Sequence, residues 1–446
     1  MHAVASVWSL TREAFPMLTC ALLGLLMSGL ELDQMATWPA FVKVDKFLIL
    51  VPIMFNLKGN LEMNLSLRMG TAANIGEIDN YRTRRALVTG NMALLQVQAL
   101  IVAIVAGLLS FFLGHHDRTA PAAAAAVPSS TLHVRGPVHA QRPQNDKALR
   151  LRDGYFEFAL VLAVAQLAAS MSSAVQGSFV CALVVVSRRF GLDPDNTVVP
   201  LAGSLGDLIT LTLLGMLSSG LLRFEGTGLA TFLFIGLVLM CIVFALFTLR
   251  NAYVHELLGY GWVPLFAAAG ISSMAGVLLE HNALRFEGYA LLAPIVAGIP
   301  GITAAVHTSR LSSALHARRF VARTRPTHGA DYIPLDGRED LPSAPPPATT
   351  FRQQCLESIR PQVHEWSTPI TLLLNAVVLQ WLFFVFLRVT GVLTFGWLFG
   401  LGLAIMSISL AMFALFFSHM LCLFLWYWDY DPDTSCMPFM TALVDA

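Results

Sequence analysis

Residues 191–215 read GLDPDNTVVPLAGSLGDLITLTLLG, and residues 429–445 read DYDPDTSCMPFMTALVD. Each stretch holds an Asp-Pro-Asp, then a proline, then an aspartate. Asp193, Pro194, Asp195, Pro200 and Asp207 answer Asp431, Pro432, Asp433, Pro438 and Asp445 at one common offset. Other matches follow in the same order at similar offsets. Ser66-x-Arg68-x-x-Thr71-Ala72 is answered by Thr308-x-Arg310-x-x-Ser313-Ala314, and Gly29-x-x-x-Asp33 by Gly276-x-x-x-Glu280. Short matches in a conserved order indicate a duplicated unit.

The rest of the chain says what is duplicated. Of 446 residues, 56% are hydrophobic and only 13% charged, against about 25% charged in soluble domains. That is enough apolar sequence for ten or eleven membrane spans of ~20–25 residues. Apolar segments lie at 15–32, 44–73, 86–113, 154–187, 197–222, 228–249, 262–280, 286–315, 367–388 and 394–428, with a last fragment at 435–446. Net charge is zero, which argues against nucleic-acid binding. The six cysteines form no CxxC, so neither a disulfide framework nor a structural zinc site is expected. Thiolate and imidazole clusters of the kind zinc or copper would select are not expected either.

The expected fold is an all-α polytopic membrane protein of two five-helix repeats joined by a linker helix, the last helix being truncated. Residues 1–14 form a short tail, 15–227 the first repeat, 228–249 the linker span and 262–446 the second repeat. The Pro-, Ala- and charge-rich stretches 114–153 and 316–365 are expected as disordered loops. Five spans leave the chain on the opposite face, and the linker returns it, so the repeats are expected to be parallel. Lys/Arg placement favours a cytoplasmic N-terminus.

Charged groups inside spans mark the candidate site, because a carboxylate at mid-bilayer is costly without a partner or water. Asp207 lies about two and a half turns into an apolar helix. Pro200 lies nearly on its face, where it can leave a carbonyl open to a cavity, and Gly203 and Gly206 permit close helix approach. The alternative is an Asp bonded only to a neighbouring helix. A second group is Lys58-Gly59-Asn60-Leu61-Glu62, where Pro52 and Gly59 are expected to break the helix and expose oxygens to an ion. Asn60 would offer a carbonyl and Glu62 a charge; alternatively Lys58 and Glu62 only pair with each other at i, i+4. Asp193 and Asp195 suit a helix cap or a peripheral attraction for cations. These groups suit magnesium, which keeps much of its water shell and takes one or two carboxylates.

The stretches WPAFVKVDKFLILVPIMFNLKGNLEMNLSLRMGTAANIGEID, TGNMALLQVQA and GLDPDNTVVPLAGSLGDLITL closely resemble solute carrier family 41, the eukaryotic relatives of MgtE-type magnesium transporters. The resemblance implies two fused MgtE-like five-span units, a dimer within one chain. It implies transport of Mg2+ as the cargo, with Na+ as a coupling ion and no cofactor. The lipid bilayer is the implied partner and the plasma membrane the expected location. The pore-lining Asp of the pattern falls on Asp207 and, by repeat, on Asp445, and the Gly-Asn pair on Gly59-Asn60. The second half departs from the pattern. Ile302 stands at the Asn position, and the chain ends one residue after Asp445, leaving a last span of about half the length a bilayer needs.

Two other readings were open on the residues. A degenerate second half suits a non-transporting or regulatory membrane subunit. An intramembrane aspartyl protease also needs two membrane carboxylates, but here the Tyr-Asp and Gly-Asp elements occur in reversed order and Gly-Ser-Leu-Gly-Asp is not its motif. No P-loop or nucleophile elbow occurs, so the chain is not expected to be an enzyme.

Overall fold

The longest stretches of this chain with no charged side chain form helices, as backbone groups in lipid must. The computed structural model describes residues 2–35, 38–44, 46–119, 154–259, 262–283, 289–324, 356, 359–360, 362–363, 365–391 and 396–445. The first repeat comprises α1 (His2–Met35), the short α2 (Pro39–Lys43), α3 (Lys46–Asn74), α4 (Tyr81–Thr119), α5 (Tyr155–Arg189) and α6 (Pro194–Leu222). The linker helix α7 (Leu229–Leu249) follows. The second repeat holds α8 (Trp262–Ala283), α9 (Tyr289–Thr324), α10 (Ser367–Thr390), α11 (Trp397–Tyr427) and α12 (Pro432–Asp445). No strand occurs among the described residues, and seven helices are long and apolar enough to cross a membrane.

Three expectations change. The stretch expected as an N-terminal tail is helical from His2, and its Leu10 and Ala14 are buried in a core shared with α9 and α10. The expected break at Pro52 and Gly59 is not there. Helix α3 runs unbroken from Lys46 to Asn74, because helices packed around it hold its backbone through the proline. Helices α4 and α9 continue to Thr119 and Thr324, so 114–119 and 316–324 belong to helices and not to the expected loops. Residues 120–153 and most of 325–364 lie outside the described residues.

The packing repeats with the sequence. Helix α1 lies against α6 of its own half and α9 of the other; α8 lies against α12 of its own half and α3 of the other. Likewise α6 touches α9, and α12 touches α3. Each half thus lends its first helix to its neighbour, and the halves do not separate into two cores. The repeats are also parallel. Asp195 at the start of α6 accepts hydrogen bonds from Asn74 at the end of α3 and from Ser309 on α9. Asp433 near the start of α12 accepts one from Thr71 of α3. Both Asp-Pro-Asp motifs therefore stand at the same end of the molecule. Helix α7 packs along α4 and α5 at the periphery, and its Phe232 and Phe247 are 75% and 64% exposed, as a lipid-facing helix requires.

The corner before each motif is built the same way from different residues. Helix α5 ends on Gly191, φ +70°, where Leu192 N–H donates to Ser187 O at 2.9 Å; Asp193 then caps α6 by accepting from Asp195 N–H at 3.1 Å. In the second half Asp429 takes the left-handed position, φ +63°. Tyr430 N–H donates to Leu425 O at 2.9 Å, and Asp431 accepts from Asp433 N–H at 3.0 Å. Glycine adopts that conformation without strain, whereas a branched side chain costs about 1–2 kcal/mol there. Gly191→Val should therefore lower the thermal unfolding midpoint of the purified protein, and Asp429→Gly should leave it unchanged or raise it. An unaffected Gly191→Val midpoint would show that the corner does not hold α6 in place.

Candidate cation cavity

Helices α3, α6, α9 and α12 converge near the middle of the molecule on a cavity of about 200 Å³, room for several waters. Its carboxylate and amides belong to the first half. Asp207 of α6 lines it beside Asn56, Gly59 and Asn60 of α3. Asp207 lies against α3 at Gly59, where a Cβ would meet its Oδ1 at an ordinary contact distance of 3.7 Å. Asn60 Nδ2 donates to Asn56 Oδ1 at 3.0 Å, and Asn60 Oδ1 accepts from Thr441 Oγ1 of α12 at 2.6 Å. One amide thus joins the two repeats across the cavity.

The opposite wall is apolar. Counting by the offset that relates α3 to α9, Pro52, Asn56, Gly59 and Asn60 are answered by Pro294, Gly298, Gly301 and Ile302, all of which line the same cavity. The cavity therefore straddles the pseudo-twofold axis, with Asn56, Asn60 and Asp207 from the first half and Thr441 and Tyr289 from the second as its polar side groups. Asp445 ends α12; its side chain lies outside the described residues. Glu280, like Asp445, has no described side chain.

Not every sequence candidate lines the cavity. Glu62 is fully buried and paired with Lys58, itself 1% exposed. Its Oε2 points at Gly206, where any side chain would collide with it. Gly206 is thus a seat for Glu62 and does not simply ease helix approach. Pro200 is not among the residues lining the cavity; one turn on, Ser204 Oγ donates to Pro200 O and Gln176 Nε2 to Ala202 O. Asp193 and Asp195 are committed at the end of the molecule. Asp193 caps α6 and accepts from Arg310 Nη1 at 3.0 Å, while Asp195 accepts from Ser309 and Asn74 at 2.7 Å each.

That end opens into a polar depression of about 350 Å³ lined by Glu13, Asn74, Arg188, Asp193, Asn196 and Arg310. Arg188 also reaches outward to Asp79, 3.1 Å away, and its hydrogen bond holds that exposed carboxyl below the usual range.

Several interacting residues were not legible in the sequence. Thr441 and Asn56 carried no motif, although Asn56 precedes Asn60 by one helical turn. The buried pair of Lys46 and Glu157, 2.8 Å apart and fully enclosed, joins α3 to α5 across a long stretch of chain. The expectation of no imidazole cluster also gives way in part. His307 and His419 stack in the second half with Nε2 and Nδ1 3.1 Å apart, and His316 meets Asp431 and Asp433.

A helical, membrane-spanning chain with a carboxylate on the wall of a cavity between two repeats has the form of a solute transporter or channel. The family model MgtE, described as a divalent cation transporter, matches residues 51–217 and 293–446, one stretch in each half. Solute carrier family 41 member 3 of Rattus norvegicus is 30% identical, over 99% of this chain and 85% of that protein. The Mus musculus member 3 is 29% identical over 95% and 77%, and the Xenopus laevis member 2 is 27% identical over 95% and 67%. No solved structure matches the chain significantly. The chain belongs to the MgtE family of divalent cation transporters. It is an integral multi-pass membrane protein and a transporter family member, not an enzyme.

The Lys58–Glu62 pair yields a direct test of the cavity's limits. Removing one partner of a buried pair costs about 3–5 kcal/mol, because the other charge is left unpaired. Lys58→Glu and Glu62→Lys should each reduce the yield of folded protein sharply. The double exchange should restore both folding and ion flux, since the charges only change places. A folded double variant that no longer transports would put Glu62 in the ion's path.

Proposed function

We propose that this protein carries Mg2+ across its membrane through the cavity between the repeats, with Asp207 as the principal ligand. The observation that carries the reading is the Asp207 carboxylate lining a water-sized cavity beside the amides of Asn56 and Asn60. Magnesium gives up its water reluctantly and is held through one or two carboxylates plus retained water. A cavity of this volume with one acidic wall suits such a partly hydrated ion. Asn60 and the α3 backbone at Gly59 would accept hydrogen bonds from the ion's water shell. Thr441 would hold Asn60 in position.

Asp193 and Asp195 have a different role in this reading: they tie α6 to α3 and α9 at the mouth, with Asp193 facing the polar depression through which cations would enter. Na+ is the proposed coupling ion and the plasma membrane the proposed location, both resting on the likeness to solute carrier family 41. The apolar wall around Ile302 makes the second half the lesser contributor, with Asp445 in a secondary place.

Mg2+ flux into proteoliposomes, with and without an opposing Na+ gradient, tests the assignment. Asp207→Asn keeps the shape and removes the charge. Its flux should fall by at least about tenfold, since a charged contact is worth ~1.5–3 kcal/mol and 1.4 is a factor of ten. Asp445→Asn should lose clearly less. Near-normal flux in folded Asp207→Asn would remove Asp207 from the pathway, and equal losses would make the two carboxylates symmetric partners. Flux indifferent to the Na+ gradient would remove the coupling.

A further inference from the structure

Among the differences between the two pseudo-symmetric ends, one changes the chemistry beside the Asp-Pro-Asp motif. Counting by the offset that relates α3 to α9, Asn74 of the first half corresponds to His316 of the second. In the first half the amide fills its corner, with Asn74 Nδ2 donating to Asp195 Oδ2 at 2.7 Å and lying 3.5 Å from Asp193 Oδ1. In the second half an imidazole takes that place. His316 Nε2 stands 3.4 Å from Asp431 Oδ1 and 4.0 Å from Asp433 Oδ2. Among the described residues, these are the only three His, Cys, Asp or Glu side chains whose ligand atoms lie within 4.8 Å of one another.

The carboxylate pair does not stand alone. Asp433 is 2% exposed, yet its Oδ1 has no hydrogen-bond partner. The fully buried Ser312 hydroxyl lies beside this carboxylate. Oδ2 of Asp433 is fixed by Thr71 Oγ1 at 2.8 Å, and the His316 ring rests edge-on against Trp426 with centroids 4.8 Å apart. The groups are held among four helices, α3, α9, α11 and α12, and Oδ1 of Asp433 is left over as an acceptor. A dication bound at about 2.0–2.2 Å from each ligand would place those atoms roughly 3–3.5 Å apart, so the ligand atoms, now within 4.8 Å of one another, would have to draw in.

We propose that His316, Asp431 and Asp433 bind a first-row transition-metal dication at a site separate from the transport cavity. Imidazole with two carboxylates favours Mn2+, Co2+ or Zn2+ over Mg2+, which prefers oxygen alone. The site lies about 21 Å along α9 from Ile302 at 1.5 Å per residue. Its occupation would clamp α9 to the α11–α12 corner. Arg68 is the competing charge. It faces Asp431 and Asp433, and its Nε and Nη2 have no partner, whereas its repeat counterpart Arg310 is bonded to Asp193. Metal and Arg68 would therefore exclude one another from Asp431.

The test reads binding and not flux, so its failure leaves the Mg2+ reading of the cavity untouched. Purified full-length protein in detergent is titrated with Co2+ in a large excess of Mg2+, which occupies any magnesium site. One equivalent of Co2+ with a visible ligand-field band is expected. His316→Asn, which installs the first-half residue, and Asp431→Asn should each weaken binding about tenfold or more. Mn2+-loaded wild-type protein, needing no substitution, should show 14N coupling from an imidazole by pulsed EPR. No Co2+ bound in excess Mg2+, no 14N coupling, or unchanged affinity in folded His316→Asn would each overturn the proposal.

Discussion

Helix α3 is too polar to face lipid, and the rest of the structure is arranged to keep it from doing so. It carries Lys46, Lys58, Glu62 and the asparagines Asn56, Asn60 and Asn64 as buried side chains, where each unpaired charge or amide costs several kcal/mol. The helix is accordingly buried along nearly its whole length. Helices α4, α5, α6, α8, α9 and α12 enclose it. Lys46 meets Glu157 from α5, Lys58 meets Glu62 within α3, and Asn60 meets Thr441 from α12. A buried ion pair contributes little net stability, but breaking one is costly. Such pairs therefore act as a constraint on which helices must surround α3.

The exchange of first helices follows from that need. No single five-helix unit supplies enough neighbours to cover α3 or its counterpart α9, so α8 covers one and α1 the other. The shared core shows the result: Leu18 and Leu25 of α1 pack with Ile295 and Ile302 of α9, and with Met63 of α3. A cavity at the centre of such an arrangement is bounded by both halves, which is why its walls can differ in polarity while the backbone stays nearly symmetric.

That freedom has been used unevenly. On the first-half side, Asn56, Asn60 and Asp207 line the cavity, and Asp193 and Asp195 are fully engaged in hydrogen bonds at the mouth. On the second-half side, the equivalent wall has become Gly298, Gly301 and Ile302, while the equivalent mouth carries a histidine and an unsatisfied carboxylate oxygen. Duplication allows this division, since one copy can keep the cavity's polar groups while the other carries different side chains at the same backbone positions.

Much of this was legible in the residues. The repeated Asp-Pro-Asp pattern pointed to the duplication, and hydropathy marked the apolar helices. Of these, seven among the described residues are long and apolar enough to cross a membrane, fewer than the ten or eleven expected. Asp207, Gly59 and Asn60 could be singled out because a polar residue in an apolar run is conspicuous by itself. What the sequence could not determine was which polar groups satisfy one another. Glu62 and Asp207 are equally conspicuous as carboxylates in the chain, yet one is closed off by Lys58 and Gly206 and the other lines the cavity. The continuous helix through Pro52 and the approach of His316 to Asp431 and Asp433 likewise depend on partners distant in sequence. Burial energies are set by a side chain's three-dimensional neighbours, and only the tertiary structure decides who those neighbours are.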